Sequence, residues 1–353
     1  MKVRTFQDKD VYNKKVFLRL DFDVPIVGGE ITDDLRLRAG LLSINYLLKN
    51  NCFLVLAGHL GRPDHNLENN YKLSLSTVAK WFKKELQIKD SEFKKDKLKE
   101  FDGWSLGSKI FLLENLRFNK GEEENDFEFS KSLASIAEVY VNDAFAVSHR
   151  NHASITGITK FLPSFAGLRL TKEIEVLSEV LDKPKRPLVV LIGGAKIETK
   201  LPVVEKMHQI ADYILVGGEI ADQDKVLLKV QHEKVIGRKP VLLVADIKED
   251  KRDITKKSAE NFCQVIFQGK TIIWNGPMGL ISDSKKVYSK ATKLIAEKIT
   301  ETDSFSIVGG GDTVGYLNKI NLLNKFSFVS TGGGAMLDFL AGEKLPGVEV
   351  LRK

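Results

Sequence analysis

At 353 residues the chain is longer than one hydrophobic core usually serves, so two domains are expected. Its 43% hydrophobic and 29% charged residues are typical of a soluble globular protein, and no apolar run is long enough to predict a membrane-spanning helix. The net charge of +7 raises nucleic-acid binding as an alternative. However, the lysines are scattered among acidic residues without an aromatic stacking platform, so we predict a solvated surface and no nucleic-acid or membrane partner.

The N-terminus and the cysteines indicate the compartment. The chain begins MKVR and continues into polar residues, so no secretory signal is predicted. Its two cysteines, Cys52 and Cys263, lie in apolar stretches and fit no metal-ligand spacing. We therefore expect buried free thiols and a cytoplasmic location.

The first half of the chain alternates short apolar segments, typical of strands, with amphipathic stretches, typical of helices. Strands are predicted at residues 16–20, 53–57, 110–113 and 139–141, and helices at 35–48 and 75–86. A further helix is predicted at 171–181, before a segment with two prolines, 183–187, that is typical of a linker.

The second half repeats the alternation. Six strands are predicted, at 188–192, 213–216, 241–244, 271–274, 305–308 and 326–329. Alternating strands and helices predict an α/β fold. We therefore expect two doubly wound parallel-sheet lobes joined by a helix.

Glycines follow five of the six strands in the second half. They lie at 193–194, 217–218, 309–311 and 332–334, and in the segment NGPMG at 275–279. In a parallel sheet all these strand ends lie on one edge, where ligands bind. Strand-to-helix turns of this kind offer N–H groups and a positive helix end to phosphate, and Asp312 would place a carboxylate there for Mg²⁺. A single glycine pair forms a tight turn about as often as it forms part of a ligand site. Five glycine-containing segments on one edge of a sheet instead predict a nucleotide site.

Two lysines at the start of the helix predicted after strand 188–192 strengthen that hypothesis. Lys196 and Lys200 are spaced i, i+4 at a helix N-terminus, where their charges repel each other and the helix dipole disfavours cations. A bound polyphosphate would offset both effects, whereas an isolated pair is usually solvent-exposed. The segment lacks P-loop spacing, and neither glycine triplet extends to G-x-G-x-x-G, which argues against dinucleotide redox chemistry.

The first half places basic residues after its predicted strands. Of the 12 arginines in the chain, 8 lie at or before position 169. Arginine can form two parallel hydrogen bonds to one phosphate or carboxylate group. Residues 32–34 predict a helix N-terminus with Arg36 in its first turn. Because Arg36 and Arg38 are two residues apart, at most one can face the crevice. The pattern favours a small, doubly anionic substrate over surface ion pairs and structural histidines.

Eight segments resemble the phosphoglycerate kinase family. They are LDFDVP at 20–25, HLGRP at 59–63, LENLRF at 113–118, NDAF at 142–145, GGAK at 193–196, WNGPMG at 274–279, GGGD at 309–312 and STGGGA at 330–335. These specific motifs run in family order over nearly the whole chain. The resemblance implies a glycolytic kinase that transfers a phosphoryl group reversibly between 1,3-bisphosphoglycerate and ADP, giving 3-phosphoglycerate and ATP with Mg²⁺.

The resemblance also implies domain bounds and site residues. It implies a phosphoglycerate-binding lobe at 1–170 plus 335–353, an interdomain helix and linker at 171–186, a Mg-nucleotide lobe at 187–334, and a monomer. The implied catalytic residues are Arg36, Lys196, Gly311 and Gly334. The implied substrate-binding residues are Asp21, Asp23, Arg36, His59, Arg62, Arg117 and Arg150. The implied nucleotide-binding residues are Gly194, Lys196, Lys200, Gly218, Asn275, Gly310, Gly311, Asp312 and Thr313, with Asp312 as the magnesium ligand.

Three departures from the family pattern affect these expectations. Asp23 stands where the family has asparagine, and its charge would repel an anionic substrate unless it pairs with an arginine such as Arg38 or Arg19. Ser282 stands where the family has a glutamate for the ribose. The segment 221–253 is several tens of residues shorter than usual, so we expect weaker or less base-selective nucleotide binding. The alternative function is a kinase-like protein that binds phosphorylated metabolites with little turnover.

Overall fold

The computed structural model describes residues 1–63, 67–195, 200–223, 239–281 and 287–353. The chain divides into two compact units. The first unit comprises Met1–Glu175 and Lys344–Lys353, and the second comprises Val176–Glu343. Within the described ranges, no helix is both long and apolar enough to cross a membrane.

The first unit contains a seven-stranded sheet and a two-stranded ribbon. Its strands are β1 (Lys15–Arg19), β2 (Ile26–Val27), β3 (Glu30–Ile31), β4 (Phe53–Ala57), β5 (Phe93–Leu98), β6 (Phe101–Leu106), β7 (Ile110–Leu113), β8 (Val139–Asn142) and β9 (Ser164–Ala166). The large sheet has the order β5-β6-β7-β4-β1-β8-β9, and β2 pairs with β3. The strands from β7 to β9 in this order are parallel, whereas β5 and β6 form an antiparallel hairpin at one edge.

The hairpin corrects the expectation of a purely parallel sheet in the first lobe. Strand β5 carries the lysine-rich segment 94–99, in which Lys94 pairs with Asp96 at 3.2 Å and Lys97 pairs with Asp102 at 3.5 Å. Charged side chains on an edge strand discourage pairing with another chain. The segment has too few apolar residues to be predicted as a buried strand.

Helices cover the large sheet of the first unit. They are α1 (Asp8–Val11), α2 (Leu35–Lys49), α3 (Ser76–Glu85), α4 (Phe127–Ala134) and α5 (Leu168–Asp182). Alternate residues of β1 point to opposite faces, so that Val16 and Leu18 pack in one core with Ile44, whereas Phe17 packs in the other with Leu133. All five side chains are fully buried, and each burial stabilises the fold by about 1.5–3 kcal/mol.

The second unit contains a six-stranded parallel sheet. Its strands are β10 (Leu188–Ile192), β11 (Tyr213–Val216), β12 (Val241–Val244), β13 (Thr271–Asn275), β14 (Phe305–Gly309) and β15 (Phe328–Val329). Their order, β12-β11-β10-β13-β14-β15, is that of a doubly wound Rossmann-type sheet. The strand order reverses between β10 and β13, which is where such sheets bind ligands.

The described part of the second unit contains six further helices. They are α6 (Leu201–Ile210), α7 (Glu219–Gln223), α8 (Lys256–Gln268), α9 (Lys290–Thr300), α10 (Gly311–Lys319) and α11 (Gly334–Ala341). Helix α11 packs against α6 and ends at Gly342, which has a φ of 84°. The chain therefore returns to the first unit at Lys344, whereas the sequence suggested a return at 335.

The returning segment is held in the first unit by backbone hydrogen bonds. It contains α12 (Pro346–Glu349). The N–H of Gly347 donates to the carbonyl of Ser148 at 2.8 Å, and the N–H of Arg4 donates to the carbonyl of Leu351 at 2.7 Å.

The predicted α/β fold class with two doubly wound sheets is confirmed. The strands predicted at 53–57, 110–113, 188–192, 213–216 and 241–244 begin and end as expected, because each is a short, fully apolar run. The helix predicted at 171–181 is the inner part of α5, and the division between the units falls inside this helix. Cys52 and Cys263 are buried free thiols, as predicted.

Candidate active site

Glycines allow the turn after β10 and the turn after β13 to pack closely together where the strand order of the second sheet reverses. The N–H of Gly193 donates to the carbonyl of Asn275 at 2.9 Å, and the N–H of Gly194 donates to that of Pro277 at 2.8 Å. A Cβ on Gly276, whose φ is 93°, would lie 2.1 Å from the carbonyl oxygen of Gly193. Close backbone packing alone therefore explains these glycines, in agreement with the tight-turn interpretation of a single pair.

The two glycine triplets lie at helix N-termini, as predicted. Gly310 is the N-cap of α10 and Gly333 is the N-cap of α11, and no side chain caps either helix in the described part of the chain. A Cβ placed on Gly311 or Gly334, the first residue of each helix, would meet no atom within 4 Å. The first residue of each helix therefore has open space beside it, although the N–H of Ala335, the second residue of α11, already donates to the carbonyl of Gly332 at 2.9 Å. Space at a helix N-terminus is what phosphate binding requires.

A cavity of about 340 Å³ lies at the same edge of the second sheet. The cavity is lined by Gly194, Ala195, Gly218, Glu219, Ile247, Lys251, Arg252, Asp253, Pro277, Met278, Gly279, Leu280, Ile281 and Asp312. Three predicted nucleotide-binding residues, Gly194, Gly218 and Asp312, are thus brought together.

Sequence reasoning missed the apolar wall of this cavity. Ile247 follows β12, and Met278, Leu280 and Ile281 follow β13. Their position just after strands that end at the binding edge is the signal that could have identified them. Apolar side chains of this kind suit a flat base or another apolar group.

Lys200 lies at the N-cap of α6 rather than inside the helix, because α6 begins at Leu201. Its buried Nζ donates a hydrogen bond to Oδ1 of Asn275, another predicted nucleotide-binding residue. Burial lowers the pKa of Lys200 to about 8, although the negative charge of Asp312 opposes this shift. A polyanionic ligand would stabilise the charged form of a buried lysine in this position.

Asp312 and Thr313 occupy the first turn of α10. Thr313 is fully buried, and its Oγ1 has no hydrogen-bond partner among the residues described. The described residues contain no group of three or more His, Cys, Asp or Glu that could hold a metal alone. A Mg²⁺ ion carried by nucleotide phosphates needs one or two carboxylates, so Asp312 beside the open N-terminus of α10 fits that role.

Some predicted features lie outside the described residues. They are Lys196, Ser282 and part of the shortened segment 221–253, namely residues 224–238.

In the first unit, Arg36 lies in the first turn of α2 beside two carboxylates, as the sequence predicts for its position. Its Nη1 is 3.3 Å from Oδ2 of Asp21 and 3.8 Å from Oδ2 of Asp23. Asp21 is buried, and burial raises its pKa, although the positive charge of Arg36 opposes the shift. Arg38 instead pairs with Asp34 and Glu85 at 2.9 and 3.0 Å, so one arginine of the two faces the strand ends.

Asp23 pairs with an arginine, although not with either of the two that the sequence suggested as examples. Its carboxylate pairs with Arg36, not with Arg38 or Arg19, and its Oδ1 accepts a 2.9 Å hydrogen bond from the N–H of Gly61. The reason is the turn after β4, which brings Gly61 to the end of β1. The charge of Asp23 is thereby shared between a guanidinium and a backbone N–H.

A cluster of basic residues lies at the strand ends of the first sheet. Arg117 is buried, and its Nη1 donates to the carbonyl of Gly61 at 2.7 Å while its Nη2 has no hydrogen-bond partner in the described ranges. Arg150 pairs with no carboxylate among the described residues, and Arg62 is exposed. Nε of Arg117 lies 3.1 Å from Oε1 of Glu123, so Nη2 of Arg117 and the guanidinium groups of Arg150 and Arg62 are the parts of this cluster that can bind an anion.

The histidines in this cluster are neutral. Burial lowers the pKa of His59 well below its usual value, and the charges of Arg19, Arg117 and Arg150 add to the effect. Burial and the same arginines lower the pKa of His152 to about 3. Arg19 and His152 both lie in the basic segments after the strands that the sequence singles out, although neither was named as a substrate-binding residue.

The comparison with known families covers nearly the whole chain. A sequence profile described as phosphoglycerate kinase matches residues 6–240 and 222–343. The chain belongs to the phosphoglycerate kinase family. It is therefore a glycolytic kinase, which confirms the enzyme class and function predicted from the motifs.

Individual phosphoglycerate kinases agree with this assignment. The protein of Dictyoglomus turgidum is 38% identical over 394 aligned residues, which cover 98% of this chain and 97% of the relative. The protein of Coprothermobacter proteolyticus is 36% identical over 395, covering 99% of both chains. The solved structure of phosphoglycerate kinase from Coxiella burnetii has a TM-score of 0.81 at 30% identity and covers 99% of both chains.

The alignments also show that this chain is short for its family. An alignment of 394 positions exceeds the 353 residues of this chain, so the relative contains residues that are absent here. The two matched ranges of the family profile overlap at 222–240, inside the segment that the sequence suggested was shortened.

Proposed function

We propose that this phosphoglycerate kinase binds 3-phosphoglycerate or 1,3-bisphosphoglycerate on the first unit and Mg-ADP or Mg-ATP on the second. The reaction transfers a phosphoryl group reversibly between the acyl phosphate and ADP. The observation that carries this proposal is the pair of open helix N-termini at Gly311 and Gly334, with the carboxylate of Asp312 beside one of them.

The first unit suits a doubly anionic acid. Nη2 of Arg117 is buried without a protein partner within the described ranges, and Arg150 adds a cation without a carboxylate there. An unpaired buried guanidinium N–H costs about 1–3 kcal/mol unless a ligand accepts from it. Arg62 and His59 complete the set proposed to bind the phosphate and carboxylate of the substrate.

The second unit suits a magnesium polyphosphate. Lys200 holds a buried positive charge next to Asn275, and a Cβ on Gly194 would meet no atom nearer than 3.9 Å, which leaves room for phosphate close to the chain. Gly218 packs against Gly194 instead, since a Cβ there would lie 2.6 Å from the backbone nitrogen of Gly194. Asp312 would hold the Mg²⁺, which when bound draws electron density from the transferring phosphate and neutralises its charge.

The transfer step requires positioning and positive charge more than covalent chemistry. Arg36 is proposed to stabilise the equatorial oxygens of the transferring group, together with Lys196 and the N–H groups at Gly311 and Gly334. The attacking carboxylate or phosphate is already an oxyanion, so no general base is needed. Retention of Arg36, Lys200 and Asp312 together favours turnover over mere binding.

The remaining properties are proposed from the same family membership and composition. We propose a cytoplasmic monomer that has neither nucleic acid nor membrane as a partner. Its lysines are distributed among ion pairs with acidic neighbours, such as Lys120 with Glu124 and Lys293 with Glu297, rather than gathered in one binding stripe.

Calorimetric titration of the two ligands tests this division of roles. The variant Arg150→Met is expected to weaken 3-phosphoglycerate binding by about tenfold or more and to leave Mg-ADP binding unchanged. The variant Lys200→Met is expected to do the reverse. The matched controls are Arg352→Met, which removes an exposed cation near the C-terminus, and Lys206→Met, which removes a half-exposed cation six residues beyond Lys200 in α6. Loss of both affinities in either site variant, or of neither, would overturn the division.

A further inference from the structure

A buried carboxylate lies beneath the basic cluster of the first unit and is not used in the proposed function. Glu122 is fully buried and directs both of its oxygens at one residue, Ser154. Oε2 accepts from the N–H of Ser154 at 3.0 Å, and Oε1 accepts from its hydroxyl at 2.6 Å. Nδ1 of His152 lies 3.8 Å from Oε1. The orientation of the Ser154 hydroxyl is therefore fixed by Glu122.

Ser154 in turn fixes Arg19. A serine hydroxyl has one hydrogen, and because Glu122 accepts it, a lone pair of Oγ remains to accept from Nε of Arg19 at 2.9 Å. Nη1 of Arg19 donates to the carbonyl of Leu20. The buried guanidinium is thus held at two points, through Nε and Nη1, which leaves Nη2 for a third partner.

Nη2 of Arg19 lies 3.3 Å from Nδ1 of His59. A guanidinium only donates hydrogen bonds, so Nδ1 must be the acceptor and the single ring proton of neutral His59 must be on Nε2. No protein partner of Nε2 is found in the described part of the chain. The Nε2–H group is therefore left to donate to a ligand.

We propose that Glu122 is a positioning residue of the phosphoglycerate site, which through Ser154 and Arg19 holds His59 in its Nε2–H tautomer. The inference rests on the proposed function in that His59 belongs to the site for the anionic substrate. With the proton on Nε2, His59 donates a hydrogen bond to a substrate oxygen. With the proton on Nδ1, the Nδ1–H group of His59 would point at the N–H donor of Arg19, and only the lone pair of Nε2 would be offered to the substrate.

The contacts from Glu122 through Ser154 and Arg19 determine the tautomer of His59 and not its charge. The charged or titratable groups that face His59 are Arg19 at the end of β1, Arg117 after β7, and Arg150 and His152 after β8. All of these disfavour an imidazolium at His59. The proposal therefore predicts one neutral tautomer across the whole neutral pH range.

The cost of the arrangement supports a role beyond packing. A buried carboxylate and a buried guanidinium each lose their hydration, and replacing such pairs by apolar residues is often neutral or stabilising. Tyr140 also donates its hydroxyl to the carbonyl of Ser154 at 2.7 Å, so the backbone at Ser154 is held independently of Glu122. Removal of the Glu122 charge should therefore disturb Arg19 and His59 more than the fold.

Nuclear magnetic resonance of the histidine nitrogens in the ligand-free, full-length chain tests the proposal directly. Long-range proton–nitrogen correlation spectra distinguish a protonated from an unprotonated ring nitrogen, and a His59→Asn spectrum identifies the signal. The wild type should show a protonated Nε2 and an unprotonated Nδ1 from pH 6 to 8. In Glu122→Gln and Ser154→Ala this signature should become mixed, and the KM for 3-phosphoglycerate should rise about tenfold or more, with the KM for ATP unchanged.

Controls separate the possible failures. Glu124→Gln removes an exposed carboxylate from the same turn, where it pairs with Lys120, and should change neither readout. Ser154→Ala removes a single hydroxyl, so it tests the relay even if Glu122→Gln does not fold. An Nδ1–H tautomer in the wild type, or an unchanged tautomer in both variants, would overturn the proposal. A wild type with the expected tautomer that fails to bind 3-phosphoglycerate would overturn the proposed substrate site instead.

Discussion

The guanidinium of Arg36 lies between the side chain of Asp21 and the backbone of Asp23. Its Nη1 is 3.3 Å from Oδ2 of Asp21 and donates a 2.9 Å hydrogen bond to the carbonyl oxygen of Asp23. Arg38, two residues further along α2, pairs with Asp34 and Glu85 instead. One helix therefore carries an arginine held at the site and an arginine with a purely structural environment.

Replacing these two arginines should have very different effects on turnover. Arg36→Ala should lower kcat by about 10³-fold or more, the scale for arginines that meet the charge of a transferring phosphoryl group. Arg38→Ala should leave kcat within about threefold of the wild type, since exposed ion pairs contribute about 0–1 kcal/mol. Steady-state kinetics with both substrates saturating measure this. Equal kcat values for wild type and Arg36→Ala would remove Arg36 from the mechanism.

Nucleotide binding should take up protons near pH 8. Because the pKa of Lys200 is lowered to about 8 in the free protein, about half of this side chain is neutral at that pH. A bound polyphosphate favours the charged form and raises the pKa, so binding should take up about half a proton at pH 8 and almost none at pH 6.5.

Calorimetry of Mg-ADP binding in buffers of different ionisation enthalpy measures this uptake. The variant Lys200→Arg keeps its charge at both pH values and should show no uptake linked to position 200. Uptake of the same size in the wild type and in Lys200→Arg would contradict the assignment of the proton to Lys200.

The buried hydroxyl of Thr313 should favour ligand binding at the expense of stability. Its Oγ1 has no partner in the described ranges, so Thr313→Val should stabilise the ligand-free protein by about 1 kcal/mol and weaken Mg-ADP binding. Thr292→Val is the matched comparison, because Oγ1 of Thr292 accepts from the N–H of Met278 at 3.0 Å and its loss should destabilise. Urea unfolding and titration provide both readouts. A destabilised Thr313→Val protein with normal Mg-ADP affinity would argue for an ordinary structural threonine.

Asp143 should make the first unit less stable as the pH rises from about 4 to above 6. Burial raises its pKa from 3.8 to about 6, although the N–H groups of Arg169 and Leu170, which donate to Oδ1, oppose the shift. A raised pKa means that the folded state favours the protonated form. This contribution to stability is therefore fully present below about pH 4 and is lost as the pH rises through 6.

Asp143→Asn keeps the Oδ1 acceptor and cannot ionise. Relative to the wild type, the urea midpoint of this variant should rise between pH 4 and 7, by the equivalent of up to roughly 3 kcal/mol. Asp102→Asn, at an exposed carboxylate of β6, should show no such trend. A difference between wild type and Asp143→Asn that stays constant with pH would refute the prediction.

The nucleotide site should discriminate weakly between bases. The relatives contain residues that this chain lacks, and part of the described wall of the cavity is apolar, formed by Ile247, Met278 and Leu280 among others. The charged residues that also line the cavity are Glu219, Lys251, Arg252, Asp253 and Asp312. Apolar contacts bind adenine and guanine with similar affinity, because they do not distinguish the hydrogen-bonding groups of the two bases. Competitive titration of ADP and GDP should give dissociation constants within about tenfold of each other. Tight binding that selects ADP strongly would disprove the expectation.

The sequence predicted features that depend on local patterns. The strands at 188–192 and 213–216 were found because each is an unbroken apolar run, and the turns at Gly310 and Gly333 because glycine tolerates the backbone conformation there. The order of motifs along the chain then identified the family. These signals need no knowledge of distant contacts.

Features that depend on distant contacts were missed. The pairing of Asp23 with Arg36 and Gly61 depends on how α2 and the turn after β4 meet the end of β1. The chain of contacts from Glu122 to His59 joins residues that lie up to 135 positions apart in sequence. Neither arrangement has a periodicity or a spacing that a sequence pattern could reveal.

Steady-state phosphoryl transfer from ATP to 3-phosphoglycerate, with Mg²⁺ and ADP release followed by a coupled assay, tests the central claim most directly. The wild type should turn over at about 1–10³ s⁻¹, the usual range for enzymes. An absence of turnover with either ATP or GTP, while 3-phosphoglycerate still binds, would contradict the claim. The protein would then be a binder of phosphorylated metabolites built on the kinase fold.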